Sequence, residues 1–283
     1  MKTINFTKMQ GAGNDYVYVN LFQQTLSKPE ELAIAMSHRR FGIGADGLVL
    51  IAPSSVADLR MIMFNADGSE SAMCGNASRC VGKYAWDHGL VKKNPLQLET
   101  GAGIKELQLF FDAAQKVKSV KVSMGEPILE AEAIPSQLKQ EQVVEHNFNF
   151  GDFSLKGTLV SMGNPHFVTY VDDVKKIPVE KWGAIIENST YFPKKINVEF
   201  VQVVSKDEVI QRTWERGSGE TWACGTGASA VGVAGMLTGK TNPTVRVHLT
   251  GGELIINWEG KGQPVFMTGP AKEVFSGNWL LET

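Results

Sequence analysis

The sequence predicts an α+β protein of two pseudo-symmetric domains, each made mainly of antiparallel strands wrapped around a central helix, with the active site in the cleft between them. Three observations lead there. Glu70-Ser71-Ala72-Met73-Cys74-Gly75 and Glu220-Thr221-Trp222-Ala223-Cys224-Gly225 are copies of one segment, offset by 150 positions. At the same offset Asn14 falls on Asn164, Asn65 on Glu215 and Gly47 on Asn197, so several separated loci share one register, as duplication of a whole unit leaves them. Short runs rich in β-branched and aromatic residues, mostly joined by turns too short for a crossover helix, predict largely antiparallel sheet.

In the first half, residues 4–9, 16–21, 48–52, 59–64, 96–100 and 117–124 read as strands, each bounded by Gly, Asn, Asp or Pro. The second half repeats the style at 155–162, 166–171, 198–204, 209–214, 244–249 and 254–258. Helices are fewer. One opens with Ser27 and Glu30 spaced as a capping box, with Pro29 in its first turn, and runs to about His38. After Cys74, residues Ala77, Cys80, Val81, Tyr84, Ala85 and His88 fall at helical spacing and Gly89 supplies a left-handed C-terminal cap. After Cys224, residues 228–237 are apolar almost all round and end at Gly239, which marks a helix enclosed by other elements. The expected domains are 1–125, completed by the C-terminal segment 271–283, and 126–270. The polar, alanine-rich stretch 126–142, with two prolines, is the expected connection.

A chain of 283 residues holds two domains of ordinary size, and 43% hydrophobic with 20% charged residues is the balance of a globular protein. Lys plus Arg (28) nearly matches Asp plus Glu (30), with no long basic run, so neither nucleic acid nor an anionic membrane is expected as partner, and a small-molecule substrate is. The start lacks an apolar signal region and no window approaches the roughly eighteen apolar residues of a bilayer span, so a cytoplasmic location is expected. Three cysteines, Cys74, Cys80 and Cys224, are an odd set in a chain too large to need covalent staples, so reduced thiols are expected.

Cys74 and Cys224 each follow a strand and turn and stand at the start of a helix, where unpaired backbone N–H groups and a partial positive charge favour a thiolate or a bound carboxylate. Two such helix starts facing one small molecule form a device for inverting a stereocentre. A thiolate on one face removes the α-proton while a thiol on the other delivers one, and backbone donors disperse the carbanion charge. No cofactor is required by that chemistry. Cys80 lies on the apolar stripe of its helix and reads as core. Asn14 and Asn164, in Gly-Asn turns, would read alone as left-handed turn residues, and their register with the cysteines turns the reading toward function. No metal is expected, since five histidines occur without HExxH or CxxC spacing. Gly42-Ile43-Gly44-Ala45-Asp46-Gly47 matches a dinucleotide fingerprint by letters, but a helix precedes it and a strand follows, the reverse of the required order, so it reads as a turn.

The successive segments Gly11-Ala12-Gly13-Asn14-Asp15, Phe64-Asn65-Ala66-Asp67-Gly68-Ser69, Cys74-Gly75-Asn76, Met162-Gly163-Asn164-Pro165-His166, Glu215-Arg216-Gly217 and Glu220-Thr221-Trp222-Ala223-Cys224-Gly225-Thr226-Gly227 resemble, in order and over essentially the whole chain, the motifs of the diaminopimelate epimerase family. The resemblance implies a cofactor-independent epimerase that interconverts LL- and meso-diaminopimelate in the supply of lysine and peptidoglycan precursors. It implies Cys74 and Cys224 as the catalytic acid and base, with His166 and Glu215 as neighbours that tune them. It implies Asn14, Gly47, Asn65, Gly75, Asn76, Asn164, Asn197, Glu215, Arg216, Gly225 and Thr226 as the substrate-contacting set, and a homodimer as the assembly. Gly47 stands where some members carry a glutamine that touches substrate, so a contact there comes from backbone or water. Phe266 stands where some carry a tyrosine linked to dimerisation. A substrate with two amino-acid ends accounts for the surplus of amides and for Arg216, which can grip a carboxylate bidentately. The competing readings are a proline or hydroxyproline racemase, which also uses two cysteines, a phenazine-type isomerase, and a non-catalytic dithiol switch.

Overall fold

The computed structural model describes residues 3–281. In chain order the elements are β1 (Thr3–Gly11), β2 (Asn14–Asn20), α1 (Pro29–Ser37), β3 (Gly47–Ala52), β4 (Leu59–Asn65), β5 (Glu70–Ser71), α2 (Gly75–Asp87), β6 (Leu96–Thr100), β7 (Gly103–Phe111), β8 (Val117–Gly125), β9 (His146–Asn149), β10 (Ser154–Ser161), β11 (Pro165–Tyr170), a 3-10 turn (Val174–Lys176), α3 (Val179–Glu187), β12 (Asn197–Ser205), β13 (Glu208–Glu215), β14 (Gly219–Thr221), α4 (Gly225–Leu237), β15 (Thr244–Leu249), β16 (Gly252–Asn257), β17 (Val265–Pro270) and β18 (Lys272–Leu280). The class is α+β with mostly antiparallel sheet. The chain divides into two compact units, Met1–Val122 with Thr268–Thr283, and Ser123–Met267.

In the first unit β1 turns into β2 through Ala12 and Gly13, both with positive φ (54° and 87°), which is the two-residue hairpin geometry that matches strand twist. Asn14 therefore enters β2 as a strand residue, and the left-handed conformation falls on Gly13 instead. On its other side β1 pairs antiparallel with β18. β2 and β3 run parallel, with α1 in the connection, and β4 and β6 run parallel with α2 between them. The remaining ladders, β3–β4, β4–β5, β6–β7 and β7–β8, are antiparallel. Ile4, Phe6, Val17, Val19, Met36, Leu48, Leu50 and Phe64 form one buried cluster beneath α1. Helix α2 packs on β1, β6, β7 and β18 and buries ten of its thirteen residues, Cys80 among them. Gly89, at φ 73°, ends it as expected.

In the second unit β9–β10, β10–β11, β12–β13, β13–β14 and β15–β16 are antiparallel. Two parallel pairs, β11–β12 and β13–β15, are bridged by α3 and α4. Helix α4 packs on β10, β11, β12, β15 and β16, which its small residues permit. A second cluster joins Phe148, Leu159, Phe167, Ile186, Phe192 and Phe200.

One local expectation is corrected. Ser27 does not cap α1: Lys28 stands at the N-cap in a left-handed conformation with no side-chain cap bond, and Lys28 pairs with Glu31 in the first turn. Helix α4 begins at Gly225 with Cys224 as its N-cap, so the thiol stands at the helix start as the sequence predicts. The stretch 126–142 lies in the second unit, with Ala131 and Ile134 buried in its core.

Candidate active site

In the first unit Cys74 ends the extended stretch after β5 and caps α2 with φ −136° and ψ 124°. It is half-buried and in no disulfide. Its sulfur donates to Asn14 Oδ1 at 3.6 Å, and Asn76 Nδ2 donates to the same oxygen at 3.3 Å. Asn14 reaches across because alternate residues of β2 share one face. Its orientation follows from its other end: Asn14 Nδ2 donates to Asp46 Oδ2 at 2.7 Å, and an ionised carboxylate only accepts. Asp46 is itself held by Arg39, which also pairs with Asp15, and Lys8 completes the set on Asp15. Burial, with the charge of Asp15, pushes the Asp46 carboxyl up, whereas on Asp15 the hydrogen bonds and charges of Arg39 and Lys8 outweigh burial and hold it low.

Tyr16, two residues along β2, lies beside Asn14 and Cys74, and burial raises its pKa far above the ordinary phenol value. Its ring fills the space beside Gly47: a Cβ there would lie 2.9 Å from Tyr16 Cε1 and 2.1 Å from the Phe64 carbonyl oxygen. Gly47 thus offers backbone only. Asn65, opposite Gly47 in the β3–β4 register, donates to Ser69 Oγ at 3.0 Å. Gly75 and Asn76 open α2 and are buried.

In the second unit Cys224 is buried and caps α4, where its sulfur accepts from Gly227 N at 3.4 Å and meets Thr226 Oγ1 at 3.4 Å. Burial, then the charges of Glu215 and Glu199, raise its thiol pKa well above the ordinary value. Glu215, at the end of β13, lies beside Cys224 and accepts from Thr221 Oγ1 at 2.5 Å, and burial raises its carboxyl pKa. His166, wholly buried at the start of β11, donates through Nδ1 to Glu199 Oε1 at 2.8 Å, while its Nε2 meets Asn164 Oδ1 at 3.1 Å. Asn197 ties strand ends together, donating to the Pro165 carbonyl at 2.8 Å and accepting from Arg216 N at 2.9 Å. The exposed Arg216 guanidinium donates to the Lys194 carbonyl at 3.2 Å, and among the described residues it engages no carboxylate. Gly225 and Thr226 form the first turn of α4.

In the first unit Asn14 and Asn76 thus meet at Cys74, and in the second Thr226 and Glu215 lie at Cys224, whereas Asn65, Asn197 and Arg216 make their hydrogen bonds to other residues. Three residues that sequence reasoning missed belong beside them. Asp46 sat inside a motif read only as a turn. Tyr16 shares the strand face of Asn14, and alternation alone could have found it. Glu199 is a charge inside the apolar run Val198-Glu199-Phe200, which is the signal it offers. Among the described residues no cluster of His, Cys, Asp or Glu has the makings of a metal site, and no helix is long and apolar enough to cross a membrane.

The fold is that of a known class of solved structures. A phenazine biosynthesis protein of Bacillus anthracis superposes with a TM-score of 0.72 at 18% identity, covering 99% of this chain and 100% of that one. A hydroxyproline epimerase of Agrobacterium vitis superposes with a TM-score of 0.70 at 15% identity, covering 98% and 92%. Sequence narrows the class. The diaminopimelate epimerase model matches residues 6–130 and 158–274. The diaminopimelate epimerase of Agathobacter rectalis is 50% identical over 281 residues, covering 97% of this chain and 98% of that protein. That of Acetivibrio thermocellus is 52% identical over 274 residues, covering 97% and 98%. The chain belongs to the diaminopimelate epimerase family.

Proposed function

We propose that this protein interconverts LL- and meso-diaminopimelate by two-base proton transfer at one α-carbon, with Cys74 and Cys224 as the two bases. One sulfur, as thiolate, takes the α-proton: the C–H bond breaks, an S–H bond forms, and the electron pair stays on the α-carbon, delocalised into the adjacent carboxylate. The other sulfur, as thiol, gives its proton to the opposite face and becomes the thiolate. One proton enters and one leaves, so the reverse reaction exchanges the roles. Helix N–H groups of α2 and α4 act on the carboxylate where charge develops.

The observation that carries the reading is the pair of cysteine-capped helices. Helices α2 and α4 are each thirteen residues long, begin 150 positions apart at Gly75 and Gly225, and each takes its N-cap from a cysteine. Family membership supplies the substrate. We infer from the same repeat that the two units are pseudo-symmetric, each built round its cysteine-capped helix, and that substrate is addressed from both. Asn14, Asn65, Asn76, Asn164, Asn197 and Arg216, with Gly47, Gly75, Gly225 and Thr226 through backbone or hydroxyl, are proposed to hold it, and His166 and Glu215 to tune the thiols. A homodimer and a cytoplasmic setting, where thiols stay reduced, complete the proposal.

The test is incubation with each diaminopimelate isomer in deuterated water under reducing conditions, beside proline and hydroxyproline. Deuterium at the α-carbon of the inverted diaminopimelate, lost in Cys74→Ala and in Cys224→Ala, is the expected result. Exchange into proline instead, or none, overturns the reading.

A further inference from the structure

Glu199 is the wholly buried carboxylate of a strand that is otherwise apolar there, between Val198 and Phe200. A carboxylate in such a place costs several kcal/mol unless it is paired and fully hydrogen-bonded. Among the described residues no lysine or arginine pairs with it. One oxygen accepts from His166 Nδ1 at 2.8 Å; the other accepts from Gln211 Nε2 at 2.7 Å and Thr213 Oγ1 at 2.6 Å. The group also presses on the first turn of α4, since a Cβ at Gly227 would lie 2.4 Å from its Oε1. The positive end of that helix is thus part of its compensation. The other titratable groups around it are Cys224 at the α4 start and Glu215 on β13.

A carboxylate on one imidazole nitrogen keeps the proton there and leaves the other nitrogen to exchange. We propose that Glu199 is a positioning residue, which holds a proton on His166 Nδ1 and so fixes the ring with Nε2 turned to Asn164, in the unit that carries Cys224. It rests on the functional reading above for its effect on turnover, and on geometry alone for its effect on the ring. Glu199 acts only through His166.

Glu199→Gln keeps the shape and removes the charge. Isotope-edited histidine NMR across the neutral range reads the ring directly and needs no substrate. In the unaltered protein Nδ1 should carry a resident proton, hydrogen-bonded to Glu199. In Glu199→Gln the proton should redistribute between the two nitrogens, the pH profile of kcat should move, and kcat should fall about tenfold with KM changed by less than about twofold. An unaltered protein with the proton resident on Nε2 alone overturns the proposal without any variant. So does a variant with reduced kcat and an unchanged ring spectrum, which is what a merely structural residue gives. A ring that behaves as expected in a protein inert toward diaminopimelate would sink the functional reading and leave the role of Glu199 standing.

Discussion

Asn14 presents its amide oxygen, and not its amide nitrogen, to the sulfur of Cys74, at 3.6 Å. The choice is made by Asp46, which takes the nitrogen at 2.7 Å. Turned this way, Asn14 accepts from a Cys74 thiol; turned the other way it would donate to a thiolate. Asp46 therefore governs which protonation state of Cys74 is supported, although it does not touch the sulfur.

Asp46→Ala should free the Asn14 amide to rotate and lower kcat/KM by about tenfold, the usual scale for a lost group that orients another. The same loss should appear in the unaltered protein as acid titrates Asp46. Because that carboxyl is pushed up by burial and by Asp15, the loss should begin at a higher pH than for an ordinary aspartate. Steady-state kinetics against pH in both proteins is the check: the acid limb should flatten in Asp46→Ala, and an unchanged limb would separate Asp46 from the thiol.

Cys80 carries a second pH dependence that has nothing to do with turnover. Burial raises its thiol from 9.0 to about 11, against the opposing pull of Tyr18 and Arg79. Unfolded chains ionise this thiol first, so the folded state is fully favoured below 9.0 and loses that advantage as pH rises toward 11. The rise corresponds to about 3 kcal/mol. Denaturant titrations at neutral and alkaline pH should show this slope in the unaltered protein and a shallower one in Cys80→Ala. Tyr18 is also buried with a raised pKa, to which Cys80 adds after burial, so Cys80→Ala should make the alkaline slope shallower through both groups.

Gly47 tests whether the strand can carry a side chain at this position. A side chain there starts at a Cβ 2.1 Å from the Phe64 carbonyl oxygen, in a ladder that cannot yield without breaking the β3–β4 register. Its onward path is closed by the ring of Tyr16. Gly47→Gln should therefore cost about 3 kcal/mol of stability, the overpacking penalty at a site with backbone on one side. Urea denaturation reads it directly. A stable Gly47→Gln protein would mean that the strand has more play than this packing allows.

Most of this architecture was legible because it rests on local pattern. Helix α2 declared itself by 3.6-residue spacing and α4 by a run apolar almost all round, each with a terminal glycine, and the expected strands were those whose apolar residues face a core. Strand β18 was not legible: it carries Gly277 and Asn278, exposes Val274, Phe275 and Leu280, and exists because β1 offers it a partner. Helix α3 was passed over because it follows Pro178 and is interrupted by Gly183, whose missing Cβ makes room for Trp214. At the site, the two thiols were readable from their repeat, whereas Asp46 and Glu199 act through hydrogen bonds between strands far apart in sequence. Spacing along the chain holds no record of such contacts.

Gly227 brings the second half of the site to a test with a definite sign. In an ordinary helix, replacing glycine by alanine stabilises by about 1 kcal/mol, because the unfolded chain has less freedom to lose. Here the added Cβ would lie 2.4 Å from Glu199 Oε1 and 2.7 Å from its Cδ. That carboxylate cannot swing aside without giving up His166, Gln211 and Thr213 together. Gly227→Ala should therefore destabilise by about 2 kcal/mol and reduce turnover, reversing the usual sign. In a Glu199→Ala background the overlap is gone, so the same substitution should return to neutral or mildly stabilising. The difference between the two backgrounds is a coupling energy of about 3 kcal/mol, measurable by a double-mutant cycle in denaturant. If Gly227→Ala costs the same in both, the first turn of α4 rejects a methyl group for a reason other than Glu199, and the close packing of that carboxylate on the cysteine-capped helix is not what requires glycine there.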